Sequence, residues 1–302
     1  MAEGLATNVI VLGAGGQVGR ALTALAPKYG FTPLSFGSAE VDITDLSAVK
    51  RLYADHPGVP VINAAAYTAV DKAEEDAERA FAVNATAPAW LAALAGDDRP
   101  LLHFSTDYVF SGEGETPFSV GAPTAPLGVY GLSKRVGEQA VLMAPKGTVL
   151  RTAWVYSATG GNFLKTMLRV GQERGALKVV ADQIGTPTHA DDIASTTLTL
   201  LAGQLAGSEA AAPGLYHLTA KGQTSWHGFA SEIFKCLEVQ TGTKVELDAI
   251  PSTAYPTPAK RPGFSVLDCG KIDKVDGVMR PNWAEPVDKT VATVLQKEKA
   301  DQ

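Results

Sequence analysis

A glycine-rich turn near the start of the chain constrains the fold more than any other feature. Gly13, Gly16 and Gly19 are spaced three apart, directly after the apolar run Val9 to Leu12 and before a helical pattern. Glycines permit a tight turn and let backbone N–H groups approach the phosphates of a dinucleotide at a helix N-terminus. A strand, this turn and a helix therefore predict the first unit of a nucleotide-binding fold. The simpler alternative is an ordinary glycine-rich turn.

The rest of the first half repeats this alternation of short apolar strands with amphipathic stretches, which is typical of a parallel sheet. One helix opens at Thr44 and closes at His56-Pro57, and another spans Asp76 to Ala95. The further strands are predicted at Thr32 to Phe36, Val59 to Asn63, Leu101 to Ser105 and Val149 to Thr152. We therefore predict an α/β fold with a doubly wound parallel sheet of the Rossmann type.

The second half has the same elements in a less regular order. The Ala/Gly-rich stretch Gly203 to Pro213 is predicted to be an exposed loop, and Pro251 to Pro262 a shaped loop or lid. The remaining elements are helices at Asn162 to Glu173, Asp191 to Ala202 and Trp226 to Leu237, and strands at Leu177 to Val180 and Gly214 to Leu218. We expect a dinucleotide-binding domain at residues 1–152 and a smaller, mainly substrate-binding domain at 153–302, with segments of the latter returning to the former.

Composition excludes several classes of partner. A net charge of −6 without a basic stripe would repel nucleic acid. The two cysteines, Cys236 and Cys269, lie far apart and indicate neither a disulfide framework nor a thiolate zinc site. Met1 to Asn8 lacks the features of a secretory signal, and no apolar run is long enough to span a bilayer. We expect a cytoplasmic protein that binds a small molecule and neither nucleic acid nor a membrane.

A Tyr-x-x-x-Lys pair indicates the chemistry. Tyr130 and Lys134 lie four residues apart, so they share one face of a helix. Reduction of a carbonyl by hydride needs a proton for the new alkoxide; the Tyr130 phenol could supply it, with the Lys134 ammonium lowering its pKa. Thr106, at the end of a predicted strand, would donate a hydrogen bond to the developing oxyanion. A surface helix pair and ordinary strand-to-loop residues are the simpler interpretations of these positions.

The end of the second strand bears on the choice of cofactor. An acid there favours NAD(H), and a base or a small polar residue favours NADP(H). Ser35 to Ser38 contains neither an acid nor a base. With no carboxylate to repel a 2′-phosphate, we expect NADPH to be accepted, and NADH stays possible.

Several segments together resemble the dTDP-4-dehydrorhamnose reductases, a family of extended short-chain dehydrogenases, over nearly the whole chain. Besides the glycine turn and the Tyr-x-x-x-Lys pair, they are Asn63 to Glu74, Ser105 to Phe110, Arg151 to Tyr156, Asp182 to Thr188, and Tyr255 to Pro262 with Ser265. The family reduces the 4-keto group of dTDP-6-deoxy-L-lyxo-4-hexulose to dTDP-L-rhamnose with NADPH or NADH. The resemblance thus implies an oxidoreductase that acts on a nucleotide sugar.

The resemblance also implies roles for particular residues. Tyr130 would be the proton donor, Lys134 would hold the nicotinamide ribose, and Lys260 with Arg261 would meet the substrate diphosphate. Thr106, Asp107 and Trp154 would contact the sugar. The other implied cofactor-binding residues are Gly13, Gly16, Gln17, Val18, Asp42, Ile43, Asn63, Ala64, Ala65, Ala66 and Phe104.

Some of these roles have simpler alternatives. Asp42-Ile43 is also typical of a helix-capping turn, Trp154 of a core tryptophan, and Lys260-Arg261 of a solvated basic turn. Some family members hold Mg²⁺ between subunits through carboxylates, and Ala21 stands at one of the matching positions, so the sequence favours no metal. The sequence is compatible with either a homodimer or a monomer. The cluster His189, Asp191 and Asp192 is interpreted as a helix N-terminus.

Two other functions also stay open. A sugar-nucleotide epimerase or dehydratase on the same scaffold would keep its cofactor and return the hydride to the sugar. A non-catalytic regulatory subunit, resembling the homologue that binds methionine adenosyltransferase, would bind a protein partner tightly. The intact Tyr130 and Lys134 argue against the regulatory subunit.

Overall fold

The first half of the chain alternates strands and helices as the sequence predicts. The computed structural model describes residues 7–300. The elements up to residue 152 are β1 (Thr7–Leu12), α1 (Gln17–Leu25), β2 (Phe31–Phe36), α2 (Leu46–Asp55), β3 (Val61–Asn63), α3 (Val70–Ala73), α4 (Ala77–Phe81), α5 (Ala87–Ala95), β4 (Leu101–Thr106), α6 (Val129–Leu142) and β5 (Gly147–Thr152). All five predicted strands are present.

The second half adds shorter strands and four long helices. These elements are β6 (Val155–Tyr156), α7 (Phe163–Arg174), β7 (Ala176–Val180), β8 (Ile184–Gly185), β9 (Thr188–His189), α8 (Ala190–Leu205), β10 (Gly214–His217), β11 (Thr224–Ser225), α9 (Trp226–Thr241), β12 (Glu246–Ile250) and α10 (Val287–Ala300). Neither β12 nor α10 was predicted from the sequence. Within residues 7–300, no helix is both long and apolar enough to cross a membrane.

A six-stranded parallel sheet in the order β2-β1-β3-β4-β5-β10 forms the centre of the fold. From β1 the chain moves to β2 on one side and to β3 on the other, so the winding reverses between β1 and β3. Ligands of such sheets bind outside the carboxyl ends of the strands at this reversal. The predicted doubly wound sheet is confirmed, and it fixes where a dinucleotide site lies.

Helices cover both faces of this sheet. Val9 and Val11 of β1 lie in a core with residues of α1 and α8, and Ile10 and Leu12 lie in a second core with residues of α2 and α5. The alternation follows from the pleat, which points successive side chains to opposite faces. Because both faces are buried, the strands are apolar almost throughout.

A third core lies in the second half of the chain. It joins α7, α9 and α10 through residues such as Leu168, Phe229 and Val291. The pair β7–β12 packs against α9. By contrast, β10 pairs with β5 and α8 packs against α1, so these two elements belong to the first sheet and its helical layer. We propose that the division near residue 152 follows these cores, with α8 and β10 completing the dinucleotide-binding part.

Two local predictions were wrong. The stretch Gly203 to Pro213 is not simply an exposed loop, because α8 continues to Leu205 and Ala211 is fully buried. A Cβ on Gly203 would lie 2.8 Å from the Cβ of Ala211, so small residues let the chain pack closely here. Asp45, not Thr44, caps α2: its Oδ1 accepts a hydrogen bond from the Ser47 N–H at 2.8 Å.

Candidate active site

The glycine turn joins the carboxyl end of β1 to the N-terminus of α1. Gly13 has a φ of +74°, and a Cβ on it would lie 2.5 Å from the Ala65 nitrogen. A Cβ on Gly19 would lie 2.2 Å from the Gly13 carbonyl oxygen, so the packing of the chain itself requires both glycines. Gly15 has no atom within 4 Å of a Cβ position, and α1 begins without a side-chain cap. Open space beside uncapped N–H groups fits the diphosphate of a dinucleotide.

Gln17 and Val18, the first residues of α1, use their side chains within the protein. The Gln17 Oε1 accepts hydrogen bonds from Ser157 Oγ and Asn162 Nδ2, both at 2.8 Å. Val18 packs against the first core. Gln17 therefore links the glycine turn to the start of α7, and contact with a cofactor through either residue stays a prediction.

A carboxylate lies at the end of β2, contrary to the interpretation of this segment from sequence. Ser35 to Ser38 carry no acid, but the chain turns after Phe36 and brings Glu40 back. The Gly37 N–H donates to Glu40 Oε2 at 2.8 Å. The expectation that no carboxylate stands at this strand end was wrong, because a four-residue turn supplies one from outside the strand.

Asp42 and Ile43 form a turn. Asp42 Oδ1 accepts hydrogen bonds from the Thr44 N–H at 2.9 Å and from the Thr44 hydroxyl at 2.7 Å. The hydroxyl bond, followed by the backbone bond, holds the pKa of Asp42 below its usual value. Ile43 is buried in the core beside α2. These contacts match the simpler alternative, and a contact with adenine stays a prediction.

The segment after β3 lines the other side of the glycine turn. Ala64, Ala65 and Ala66 are half-buried there. Asn63 is buried, and its Oδ1 accepts from the Ala65 N–H at 3.1 Å while its Nδ2 donates to His103 Nδ1 at 3.1 Å. These small residues pack directly against Gly13, at the point where the sheet order reverses.

Tyr130 and Thr106 meet at the carboxyl end of β4. Tyr130 lies in the first turn of α6, and its ring packs edge-on against that of Tyr108 with centroids 5.7 Å apart. Burial raises the pKa of the Tyr130 phenol to about 12, and the nearby Thr106 hydroxyl opposes this shift. The phenol is therefore protonated at neutral pH and lies beside a second hydroxyl.

Lys134 lies one turn further along α6 on the same face. Its Nζ donates to the Phe104 carbonyl at 2.5 Å and lies 3.3 Å from His103 Nε2. Burial, followed by the charge of Lys134, holds the pKa of His103 well below its usual value. Burial also lowers the pKa of Lys134 to about 7.

Burial dominates the pKa of Tyr130. The sequence predicted that the Lys134 ammonium lowers the pKa of the phenol, whereas burial raises it, and an effect of Lys134 stays a prediction. The Lys134 amine itself is desolvated and is bound to the Phe104 carbonyl.

Asp107 follows Thr106 and is buried. Its Oδ1 accepts a hydrogen bond from the Thr106 hydroxyl at 3.0 Å. Its Oδ2 is buried without a hydrogen-bond partner among the described residues. Burial raises the pKa of Asp107 to about 6. An unsatisfied carboxylate oxygen at a strand end is suited to a hydroxyl group of a ligand.

Trp154 follows β5 in an unusual backbone conformation. Its φ is +45°, in the left-handed region that bulky residues rarely adopt. Its indole stacks on that of Trp226, with centroids 3.5 Å apart and planes 5° apart. A Cβ on Gly185 would lie 2.5 Å from the same indole, so glycine is required there. Trp154 is half-buried, so it is not a fully buried core tryptophan, and its contact with a sugar stays a prediction.

Arg261 of the Pro-rich segment is bound to the first half of the chain. Its Nη2 and Nη1 donate to the two carboxylate oxygens of Asp71 at 2.7 and 3.0 Å. The Ala259 N–H also donates to Asp71 at 3.2 Å. These bonds, chiefly that from Arg261, hold the pKa of Asp71 below its usual value. Lys260 is exposed, and the predicted contact of this basic pair with a diphosphate stays a prediction.

Residues 7–300 contain no group of three or more His, Cys, Asp or Glu side chains arranged to hold a metal ion. Ala21 is buried in the core between α1 and α8. His189 caps α8, since its Nδ1 accepts from the Asp191 N–H at 3.2 Å. The cluster around His189 is thus a helix N-terminus.

Comparison with known proteins identifies the family. The model of the RmlD substrate binding domain matches residues 7–296. The chain belongs to this family. A dTDP-4-dehydrorhamnose reductase of Sinorhizobium fredii is 41% identical over 290 residues, which cover 95% of this chain and 98% of that protein. The resemblance found in the sequence motifs is confirmed.

Solved structures of the RmlD family share this architecture. A dTDP-4-dehydrorhamnose reductase from Clostridium acetobutylicum is 35% identical with a TM-score of 0.88, covering 96% of this chain and all of that one. The Bacillus anthracis reductase, solved in complex with NADP, is 31% identical with a TM-score of 0.85 and covers 95% of this chain and 99% of its own. The Rossmann-type fold of an extended short-chain dehydrogenase is thereby confirmed.

The structure brings many of the predicted residues of this RmlD-family chain to one edge of the sheet. The glycine turn, Asn63 to Ala66, Thr106, Asp107 and the Tyr130–Lys134 face all lie at carboxyl ends of β1, β3 and β4 or beside them. Four residues that contact the candidate site were not predicted from the sequence: Glu40, Asp71, His103 and Trp226. His103 lies among apolar residues in a strand that is buried throughout, and a titratable residue at such a position was a signal that could have been used. The other three act through contacts that no local pattern encodes.

Proposed function

We propose that the protein reduces the 4-keto group of dTDP-4-dehydro-L-rhamnose to dTDP-L-rhamnose, using NADPH or NADH. The observation that carries the proposal is that Tyr130, a phenol protonated at neutral pH, lies near Thr106 at the carboxyl end of β4, on the same edge of the sheet as the glycine turn. The names of the relatives support the substrate, and the NADP complex of the Bacillus anthracis reductase supports the cofactor.

When bound, a reduced nicotinamide supplies the hydride to C4 of the sugar. Tyr130 then donates its proton to the C4 oxygen. Its pKa of about 12 does not prevent this, because an alkoxide is a stronger base than a phenolate and the phenol stays protonated at neutral pH. The Thr106 hydroxyl, which donates to Asp107 Oδ1 in this structure, would turn to donate a hydrogen bond to the same oxygen as negative charge develops.

The remaining residues would bind and orient the cofactor and the sugar. Lys134, whose amine donates to the Phe104 carbonyl in this structure, would bind the hydroxyls of a nicotinamide ribose, and Asp107 would accept from a sugar hydroxyl through its Oδ2. Trp154 presents apolar ring surface to a deoxysugar. Asn63 to Ala66 and the glycine turn would hold the dinucleotide along the sheet edge.

The test is to incubate the protein with NADPH and freshly made dTDP-4-keto-6-deoxy sugars. We expect stoichiometric loss of NADPH absorbance and a product that has gained two hydrogen atoms by mass. An epimerase or dehydratase would convert the sugar without net loss of NADPH. No turnover with any keto sugar would favour the regulatory subunit and contradict the proposal.

Asp71 is expected to hold Arg261 in place for the substrate. Asp71→Asn removes the charge from a two-point pair and frees the Pro-rich segment, so the KM for the nucleotide sugar should rise about tenfold with little change in kcat. Steady-state kinetics measure both. Asp182→Asn is the matched control: Asp182 accepts from the Ser252 N–H at 2.8 Å and anchors the far end of the same segment. An equal rise in both variants would mean that the ordering of the segment matters and that Arg261 itself does not.

A further inference from the structure

A titratable side chain that the proposed reaction does not use lies inside the sheet next to the candidate site. His103 is the third residue of β4 and is fully buried. Burial, followed by the charge of Lys134, holds its pKa well below the usual value, so the ring is neutral at neutral pH. A buried ring of this kind needs polar partners, and each of its two nitrogens has one.

The two ring nitrogens face two different parts of the candidate site. Nδ1 lies 3.1 Å from Nδ2 of Asn63, whose Oδ1 accepts from the Ala65 N–H at 3.1 Å. Nε2 lies 3.3 Å from Nζ of Lys134 on α6. Because a Cβ on Gly13 would lie 2.5 Å from the Ala65 nitrogen, the first contact leads directly to the glycine turn. His103 therefore joins the glycine turn to α6.

The contact with Lys134 fixes a side chain that is otherwise flexible. A lysine carries its amine on a four-carbon stem, and here the amine contacts His103 Nε2 and the Phe104 carbonyl, two neighbouring positions of β4. Lys134 is only 2% exposed, so water does not replace these contacts. An amine that is held in place before a ligand arrives loses less conformational freedom on binding.

We propose that His103 is a positioning residue, which holds the Lys134 amine for the nicotinamide ribose and connects it through Asn63 to the segment beside the glycine turn. His103 would itself touch neither the dinucleotide nor the sugar, because its side chain is fully buried and both ring nitrogens are used within the protein. The inference rests on the proposed function, since the role of Lys134 belongs to that reaction.

Two substitutions separate the two contacts of the ring. The amide of glutamine places a polar atom near the position of Nε2, and that of asparagine places one near Nδ1. His103→Gln therefore keeps a partner for Lys134, and His103→Asn keeps one for Asn63. Titration with NADPH in the absence of sugar, followed by nicotinamide fluorescence, gives the dissociation constant. We expect it to rise at least about tenfold in His103→Asn and less than about threefold in His103→Gln.

The control is His217→Asn. His217 of β10 is equally buried, and its Nδ1 lies 3.1 Å from the Asp268 carbonyl oxygen. The cost of an amide at a buried histidine should appear there as a lower free energy of unfolding, with the NADPH dissociation constant within about threefold of the wild-type value. A rise in His217→Asn or His103→Gln as large as that in His103→Asn would overturn the inference, as would no rise in His103→Asn.

A measurement on the wild-type protein does not depend on the folding of any variant. In nitrogen NMR of the histidine rings, the resonances of His103 should shift on addition of NADPH, and by more than those of His217, because the amine beside His103 gains a ligand. Unshifted His103 resonances in the NADPH complex would overturn the inference. A protein that binds NADPH and reduces no keto sugar would overturn the proposed substrate alone, and one that binds no NADPH would overturn both proposals.

Discussion

Tyr130→Phe is expected to lower kcat for keto-sugar reduction by about 10³-fold, within the range that a positioned proton donor contributes. The substitution removes one hydroxyl and keeps the ring, which packs against Tyr108. The dissociation constant of NADPH should hardly change, because the proposed dinucleotide site is formed mainly by the glycine turn and the β3 end. Single-turnover kinetics together with fluorescence titration separate the two quantities.

Tyr108→Phe is the matched control for this prediction. Its ring lies beside that of Tyr130, with centroids 5.7 Å apart, so both variants remove a phenol hydroxyl from the same region. We expect the control to lower kcat by less than about tenfold, a loss from local packing and polarity. If Tyr108→Phe abolished turnover and Tyr130→Phe did not, the proton donor would have to be reassigned to Tyr108.

Local periodicity was sufficient to predict the sheet and most helices. Strands such as Val9 to Leu12 and Leu101 to Ser105 are buried on both faces, so they are continuous apolar runs with sharp ends, and the structure extends each by at most two residues. The helix predicted at Asp76 to Ala95 contains a π turn at residues 82–86. There Asn84, fully buried, accepts from the Tyr67 N–H at 2.8 Å and donates back to its carbonyl at 3.0 Å. Such a distortion is set by a tertiary contact and leaves no periodic signal.

The sequence predicted those parts of the candidate site whose residues lie at the end of a strand or on one face of a helix. The glycine turn and the Tyr130–Lys134 spacing belong to this class. Contacts between residues far apart in the sequence were not predictable, as with Asp71 and Arg261, which are 190 residues apart. The Trp154–Trp226 stack is of the same kind. The state of Lys134 was missed for another reason, because its pKa depends on burial against His103 and Phe104.

Glu138→Gln is expected to destabilise the protein by about 3–5 kcal/mol, as breaking a buried ion pair does. Glu138 is fully buried on α6, and its carboxylate accepts two hydrogen bonds from Arg151 of β5, both at 2.7 Å. Without the negative charge, the Arg151 guanidinium stays buried and unpaired. Urea unfolding, read as the free energy of unfolding, measures the loss. The ion pair between Glu138 and Arg151 also connects α6 to the sheet one turn beyond Lys134. Glu138→Gln should therefore also weaken the packing of the helix that carries Tyr130.

Two further variants distinguish this mechanism from a general effect of losing a glutamate. Glu173→Gln breaks an exposed pair with Arg169, 3.1 Å apart, and should cost less than about 1 kcal/mol. The double variant Glu138→Met with Arg151→Met removes both charges and should recover most of the lost stability, because two apolar chains need no counterion. If the double variant were no more stable than Glu138→Gln, the loss would come from packing around α6. The buried guanidinium would then not be its cause.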